Sequence, residues 1–302
     1  MVKGSSIFLK TALFVLPIYL IFLLDDHYNF DDHGVFQIIE DRKKFVRESN
    51  DINAIIIGGS NALWGISASQ LSALSKENSF YNLSMHSNGV NYINYFEYIL
   101  DTLKPVNNEE IELIIWSTIH TYLEPPYNDF DRDIAGRLRL SKLVPNQSLL
   151  SKLYKSIVNQ ESLYFKVNGE FGDFLFDDFK CPLSDPRYLN KDLIKTVSNE
   201  SYKFAPIQPL KNQIEIYQDF FKKNFPNAKV IFTVPSVINP PDISQDELSF
   251  LREIFGKKNQ YLFVQKPIKD INFLCESSHH PNQTGREIRT REIYEFLKQN
   301  NL

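Results

Sequence analysis

Cysteine is scarce in this chain: 302 residues hold only Cys181 and Cys275, and no CxxC pair occurs. Neither a structural zinc site nor a disulfide framework is signalled, and whether these two pair is open at this level. Blocks of basic charge are also missing. Lys plus Arg is 33 against 37 for Asp plus Glu, a net charge of −4, which excludes nucleic acid as an expected partner. Compositional extremes are absent too. With 43% hydrophobic and 23% charged residues, collagen-like, coiled-coil and wholly disordered readings drop out. The length fits one large α/β domain better than a stapled miniprotein.

One stretch departs from this average. From Thr11 to Leu24 the chain reads TALFVLPIYLIFLL without a charge, and Ser5–Lys10 extends it to twenty residues. At about 1.5 Å per residue that is roughly 30 Å, the thickness of a bilayer core. No small-x-small cleavage site follows, so an uncleaved anchor is expected ahead of a cleaved signal peptide or a buried core helix. Lys3 and Lys10 precede the span, and Asp25, Asp26, Asp31 and Asp32 follow it. The positive-inside rule then keeps the N-terminus cytoplasmic and exports the rest. The expectation is a single-pass inner-membrane protein: anchor at 1–24, juxtamembrane stalk at 25–50, and an extracytoplasmic (periplasmic) domain at 51–302.

Within that domain, short β-branched runs alternate with helical periodicity. Asn53–Ile57, Phe80–Leu83, Ile111–Trp116, Lys229–Val234 and Tyr261–Val264 read as strands. Helices are expected from Ser67 to about Leu74, over Val90–Leu103, between Pro209 and Pro226, from Ser244 to about Phe255, and from Gln283 to Lys298. This rhythm predicts an α/β fold with a parallel five-stranded sheet. It breaks at 118–208, rich in aromatics, Asp, Asn and Pro, where an insertion forming a substrate-facing cap is expected, with a helix near Leu149–Val158.

Ligands of open parallel sheets bind beyond the carboxyl ends of the strands. Three places there carry chemistry: Gly58-Gly59-Ser60-Asn61, Ser117-Thr118-Ile119-His120 and Ser278-His279-His280-Pro281-Asn282. A serine and a histidine brought together at such an edge make a nucleophile and its general base.

On these residues the chain resembles the SGNH or GDSL hydrolase superfamily, in its membrane-anchored cell-envelope form. IIIGGSNALWGISASQL (55–71) is similar to the nucleophile block, FYNLSMHSNG (80–89) to the second block, and HHPNQTGREIRT (279–290) to the terminal histidine block. The resemblance implies a three-layer αβα, flavodoxin-like fold, with Ser60 as nucleophile and His280 as base. Gly59, Asn61, Asn88, Gly89, Thr118 and His120 are the candidates to line the oxyanion hole and substrate site. The chain departs from the pattern in two blocks. The acid usual three residues before the histidine is Ser277, with Glu276 beside it as a possible orienting acid. Trp116-Ser117-Thr118 stands where the third block normally has its Asn.

The function expected is acyl transfer or ester hydrolysis, acetyl foremost, on a cell-envelope glycan, without a cofactor or metal. Its expected partners are the membrane through residues 5–24, the glycan substrate and polysaccharide biosynthesis proteins. A catalytically inactive SGNH-like module that binds glycan or scaffolds polysaccharide assembly is the alternative. A metal-dependent hydrolase using Asp-Asp-His at 25–27 and 31–33 with His279-His280 is the third reading.

Overall fold

A computed structural model describes residues 33–49, 51–85, 92–117, 123–124, 167–168, 170–176, 181–183, 191–199, 203–204, 207–240 and 242–302. The expected span at 5–24 and the helix near Leu149–Val158 lie outside them. Among the described residues no helix is long and apolar enough to cross a membrane.

The strands in chain order are β1 (Ala54–Gly58), β2 (Phe80–Asn82), β3 (Leu113–Ser117), β4 (Leu123–Glu124), β5 (Lys203–Phe204), β6 (Lys229–Val234), β7 (Gln260–Val264), β8 (Leu274–Ser277) and β9 (His280–Pro281). Five of them form one parallel sheet in the order β2-β1-β3-β6-β7. All five expected strands are present. Parallel strands are covered on both faces, so AIIIG and LIIWS stay apolar throughout and every residue of β1 and β3 is buried.

The described helices are α1 (His33–Glu48), α2 (Ser60–Gly65), α3 (Ala68–Ser75), α4 (Tyr92–Thr102), α5 (Lys191–Asn199), α6 (Ile207–Asn224), α7 (Gln245–Phe255) and α8 (Gln283–Gln299). Alternate strand residues face opposite layers. Ile55, Ile57, Ile114, Trp116 and Phe232 pack with α1, α4, α6 and α7 through Val46, Ile99, Tyr217 and Leu251. Ile56, Ile115 and Ile231 pack with α2, α3 and α8 through Ala62, Leu71, Ile293 and Leu297. Each such side chain contributes about 1.5–3 kcal/mol by leaving water.

Capping explains the helix starts. Ser67 Oγ accepts from the Gln70 N–H at α3, Ser244 and Glu247 form a capping box at α7, and Asn282 Oδ1 accepts from the Gly285 N–H at α8. Each satisfies donors that the first turn leaves over.

Residues 33–48 differ from the expected stalk. They form α1, whose Ile38, Ile39, Arg42 and Val46 are buried in the larger core. Their spacing puts them on one helical stripe, with Glu40, Asp41, Lys44 and Arg47 left exposed on the other side.

Described parts of the insertion are built into the domain. β4 and β5 pair antiparallel across it, and Val167 bridges Phe174. The Asn82 N–H of β2 donates to the Phe171 carbonyl at 2.8 Å. Gly172 has φ +68, and a Cβ there would lie 2.2 Å from the Asn82 carbonyl oxygen, so only glycine fits against this edge. Cys181 is disulfide-bonded to Cys275 of β8.

Candidate active site

The site grows from the neighbouring carboxyl ends of β1 and β3. Their register pairs Gly58 with Ser117, and the Gly59 N–H donates to the Ser117 carbonyl at 3.1 Å. A Cβ on Gly58 would lie 1.8 Å from that carbonyl oxygen, so the strands can meet this closely only with glycine there. The chain then enters α2 directly, and Ser60 is its first residue. In a sheet of this order β1 and β3 flank the topological switch point, where ligands of open α/β sheets bind.

His280 arrives from the other end of the chain. β9 pairs antiparallel with β8, Ser277 opposite His280. The Asn282 N–H donates to the Phe273 carbonyl at 2.9 Å, and the Asn282 side chain caps α8. Pro281 and Asn282 thereby fix where the histidine leaves the hairpin. Its Nε2 lies 2.7 Å from Ser60 Oγ, a full hydrogen bond between residues 220 positions apart. Ser60 is 7% and His280 5% exposed, so the pair sits in a largely water-excluded place.

The surroundings orient both partners. The Tyr95 hydroxyl accepts from the Gly58 N–H at 2.9 Å and donates to the Leu83 carbonyl at 3.1 Å, tying the end of β1 to the segment after β2. Burial pushes the Tyr95 phenol well above its usual range, so it stays a neutral donor. Asn61 Nδ2 donates to Ser117 Oγ at 2.9 Å. The His280 ring lies face to face with Trp64, centroids 4.9 Å apart and 9° from parallel. Trp64 in turn stacks on Phe174 at 4.3 Å.

Of the expected residues, Ser60 and His280 are brought together. His279 stands edge-on to His280 with ring centroids 4.3 Å apart, and its Nδ1 is 3.4 Å from Ser278 Oγ. Ser277 lies on β8 with its Oγ buried and without a hydrogen-bond partner among the described residues. Glu276 is the residue before it on β8. Gly59 has its N–H engaged by the sheet edge, which takes it out of the set of oxyanion donors. Asn61 turns its amide to Ser117. Asn88, Gly89, Thr118 and His120, and the Asp-Asp pairs at 25–26 and 31–32, lie outside the described residues.

Three supporting residues escape sequence reasoning. Asp173, 3% exposed, accepts from the Ala68 N–H (2.6 Å), the Ser69 N–H (3.0 Å) and the hydroxyls of Ser67 and Ser69 (2.8 Å each), so a residue of the insertion caps α3. Arg42 is fully buried and donates to the carbonyls of Ser84 and Gly172 and to the Tyr98 hydroxyl, each at 2.9 Å, and to Met85 Sδ at 3.2 Å. Trp64 is the third. The Asn168-Gly169 pair between Val167 and Phe174 is the signal that points to a hairpin near Asp173; nothing comparable marks Arg42 as buried.

The described residues thus form an open parallel α/β sheet with a buried serine–histidine pair at its switch point. No protein-family model matches the chain, and no curated protein does. Among solved structures it is similar to an acetyl xylan esterase, Est2A, from the rumen bacterium Butyrivibrio proteoclasticus. That likeness has 13% identity and a TM-score of 0.39, covering 83% of this chain and 65% of that one. It is also similar to an active-site mutant of a family two carbohydrate esterase from Clostridium thermocellum, at 9% identity and a TM-score of 0.35, covering 83% of this chain and 64% of that one. The chain spans less than two thirds of the length of either. Both likenesses are distant.

Proposed function

We propose that this chain is a membrane-tethered, exported serine esterase or O-acyltransferase of the SGNH type, acting on acyl groups, acetyl foremost, of a cell-envelope glycan. The observation that carries the reading is the 2.7 Å contact between Ser60 Oγ and His280 Nε2 at the switch point. Sequence resemblance in the three blocks supports the acyl chemistry and the envelope setting. The apolar run at 5–24 supports the tether.

In mechanism, His280 Nε2 takes the Ser60 proton as Oγ attacks the ester carbonyl carbon, and the carbonyl oxygen becomes an oxyanion. The Ser60 N–H lies in the first turn of α2, where helical N–H groups lack an intrahelical acceptor, and is suited to receive that charge. Collapse of the tetrahedral intermediate breaks the ester C–O bond, and the imidazolium returns its proton to the leaving sugar oxygen. Water or a second sugar hydroxyl then attacks the acyl-enzyme, with His280 again as base, releasing the acid or the transferred ester and restoring Ser60.

The test is turnover of p-nitrophenyl acetate by the full-length chain in detergent, wild type against Ser60→Ala and His280→Asn. A loss of at least about 100-fold in both variants is expected. Turnover no faster than the protein-free rate in all three would favour a non-catalytic glycan-binding or scaffolding module, the reading that Ser277 and Trp116-Ser117-Thr118 motivate.

A further inference from the structure

We infer that Trp64 is a positioning residue for His280: its indole face holds the imidazole ring square to Ser60 and supports the positive charge the ring carries during acyl transfer. The inference rests on the serine–histidine reading above and adds to it what orients the base. The usual position of an orienting acid, three residues before His280, holds Ser277, a neutral residue. Directly against the ring lies Trp64, fully buried, 9° from parallel and 4.9 Å away. An indole face attracts a cation within about 6 Å, most strongly where water is excluded. His280 is 5% exposed, so the imidazolium would meet that condition.

Trp64 is itself fixed by the insertion. Phe174 stacks on it at 4.3 Å and Phe176 meets it edge-on at 5.8 Å. The Arg286 guanidinium lies 4.6 Å over the Phe176 ring and donates to the Phe174 carbonyl. Trp64 also shares a buried cluster with Cys275, whose disulfide partner Cys181 packs against it. The described part of the insertion thus supports the base from behind rather than only roofing the substrate. Because the ring contact strengthens when the imidazole becomes charged, its loss falls on kcat and leaves substrate binding largely alone.

The test compares Trp64→Phe and Trp64→Leu in the full-length chain. Trp64→Leu is expected to lower kcat roughly 10- to 30-fold with KM within about 2-fold, and Trp64→Phe to restore most of the loss, whatever the two variants do to the melting temperature. In histidine-labelled protein, NMR reads the stack without reference to activity. The ring protons of His280, assigned with His280→Asn, are shifted upfield by the indole ring current and move back in Trp64→Leu. Should Trp64→Leu not accumulate, Phe174→Leu gives the same kcat-selective loss at about 3-fold. A kcat unchanged by these replacements, a Trp64→Phe as slow as Trp64→Leu, or ring protons indifferent to Trp64 would overturn the inference. Failure of the hydrolase reading looks different: turnover independent of Ser60, with the ring-current shift intact.

Discussion

Cys181 and Cys275 are bonded to each other across 94 residues, joining the insertion to β8, the strand that pairs with the short strand carrying His280. Closing a loop of that length restricts the unfolded chain far more than the folded one. Replacing both cysteines by serine is expected to cost about 4 kcal/mol in denaturant-induced unfolding, and dithiothreitol should lower the wild-type midpoint by a comparable amount. A double variant as stable as wild type would show that the insertion is held without the bond.

Asp173 anchors the same segment to α3. Asp173→Ala leaves two buried backbone N–H groups and two serine hydroxyls without their acceptor, for a loss of roughly 3 kcal/mol. Asp173→Asn keeps the shape and one acceptor oxygen, so about half of that loss is expected. Urea midpoints of the two variants check the order.

Gly58→Ala places a methyl group on the Ser117 carbonyl, and that carbonyl belongs to the neighbouring strand and cannot swing aside. The expected cost exceeds about 3 kcal/mol, and the variant should accumulate poorly. Normal yield with an unchanged melting temperature would mean that β1 and β3 are not in this register.

Much of the sheet is legible in the residues alone. Parallel strands covered on both faces need no polar alternation, so AIIIG, LIIWS and KVIFTV stand out as short β-branched runs, and Ser67 and Ser244 mark helix starts by their own capping chemistry. Ser60 could be singled out because it lies just past an apolar run at a strand end, and His280 because it stands just before the last helix in a block that resembles the terminal histidine block of the SGNH superfamily. What was not legible depends on distant partners. Arg42 reads as surface because a guanidinium is seldom buried; only the folded chain brings it the carbonyls of Ser84 and Gly172. Asp173 caps a helix about a hundred residues earlier, a relation that local spacing cannot carry. The helical stripe of α1 follows directly on Asp25, Asp26, Asp31 and Asp32, whose charges read as part of a solvated stalk.

Arg42→Ala opens a cavity and strips the Ser84 and Gly172 carbonyls of their donor. About 3–5 kcal/mol of destabilisation follows, with Arg42→Lys intermediate because one ammonium cannot serve both sides of the fork. Chemical denaturation of the full-length chain in detergent resolves the three proteins.

Two tyrosines set an alkaline limit. Burial raises the phenols of Tyr81 and Tyr95 above the ordinary value of 10.0, so the folded chain keeps protons that the unfolded chain releases. Their contribution is complete below about pH 10 and is lost as pH rises beyond it, by about 1.4 kcal/mol per pH unit for each tyrosine. Unfolding free energies between pH 9 and 11 should therefore fall more steeply for wild type than for Tyr95→Phe. Parallel curves would contradict this.

The central claim is that Ser60 is a nucleophile activated by His280, and covalent labelling tests it most directly. The full-length chain in detergent, treated with a fluorophosphonate and digested, is predicted to carry the phosphonyl group on the peptide containing Ser60. Labelling should disappear in Ser60→Ala and slow by at least about 100-fold in His280→Asn. Absence of label on Ser60 in folded wild-type protein, or equal labelling of Ser60→Ala, would contradict the account.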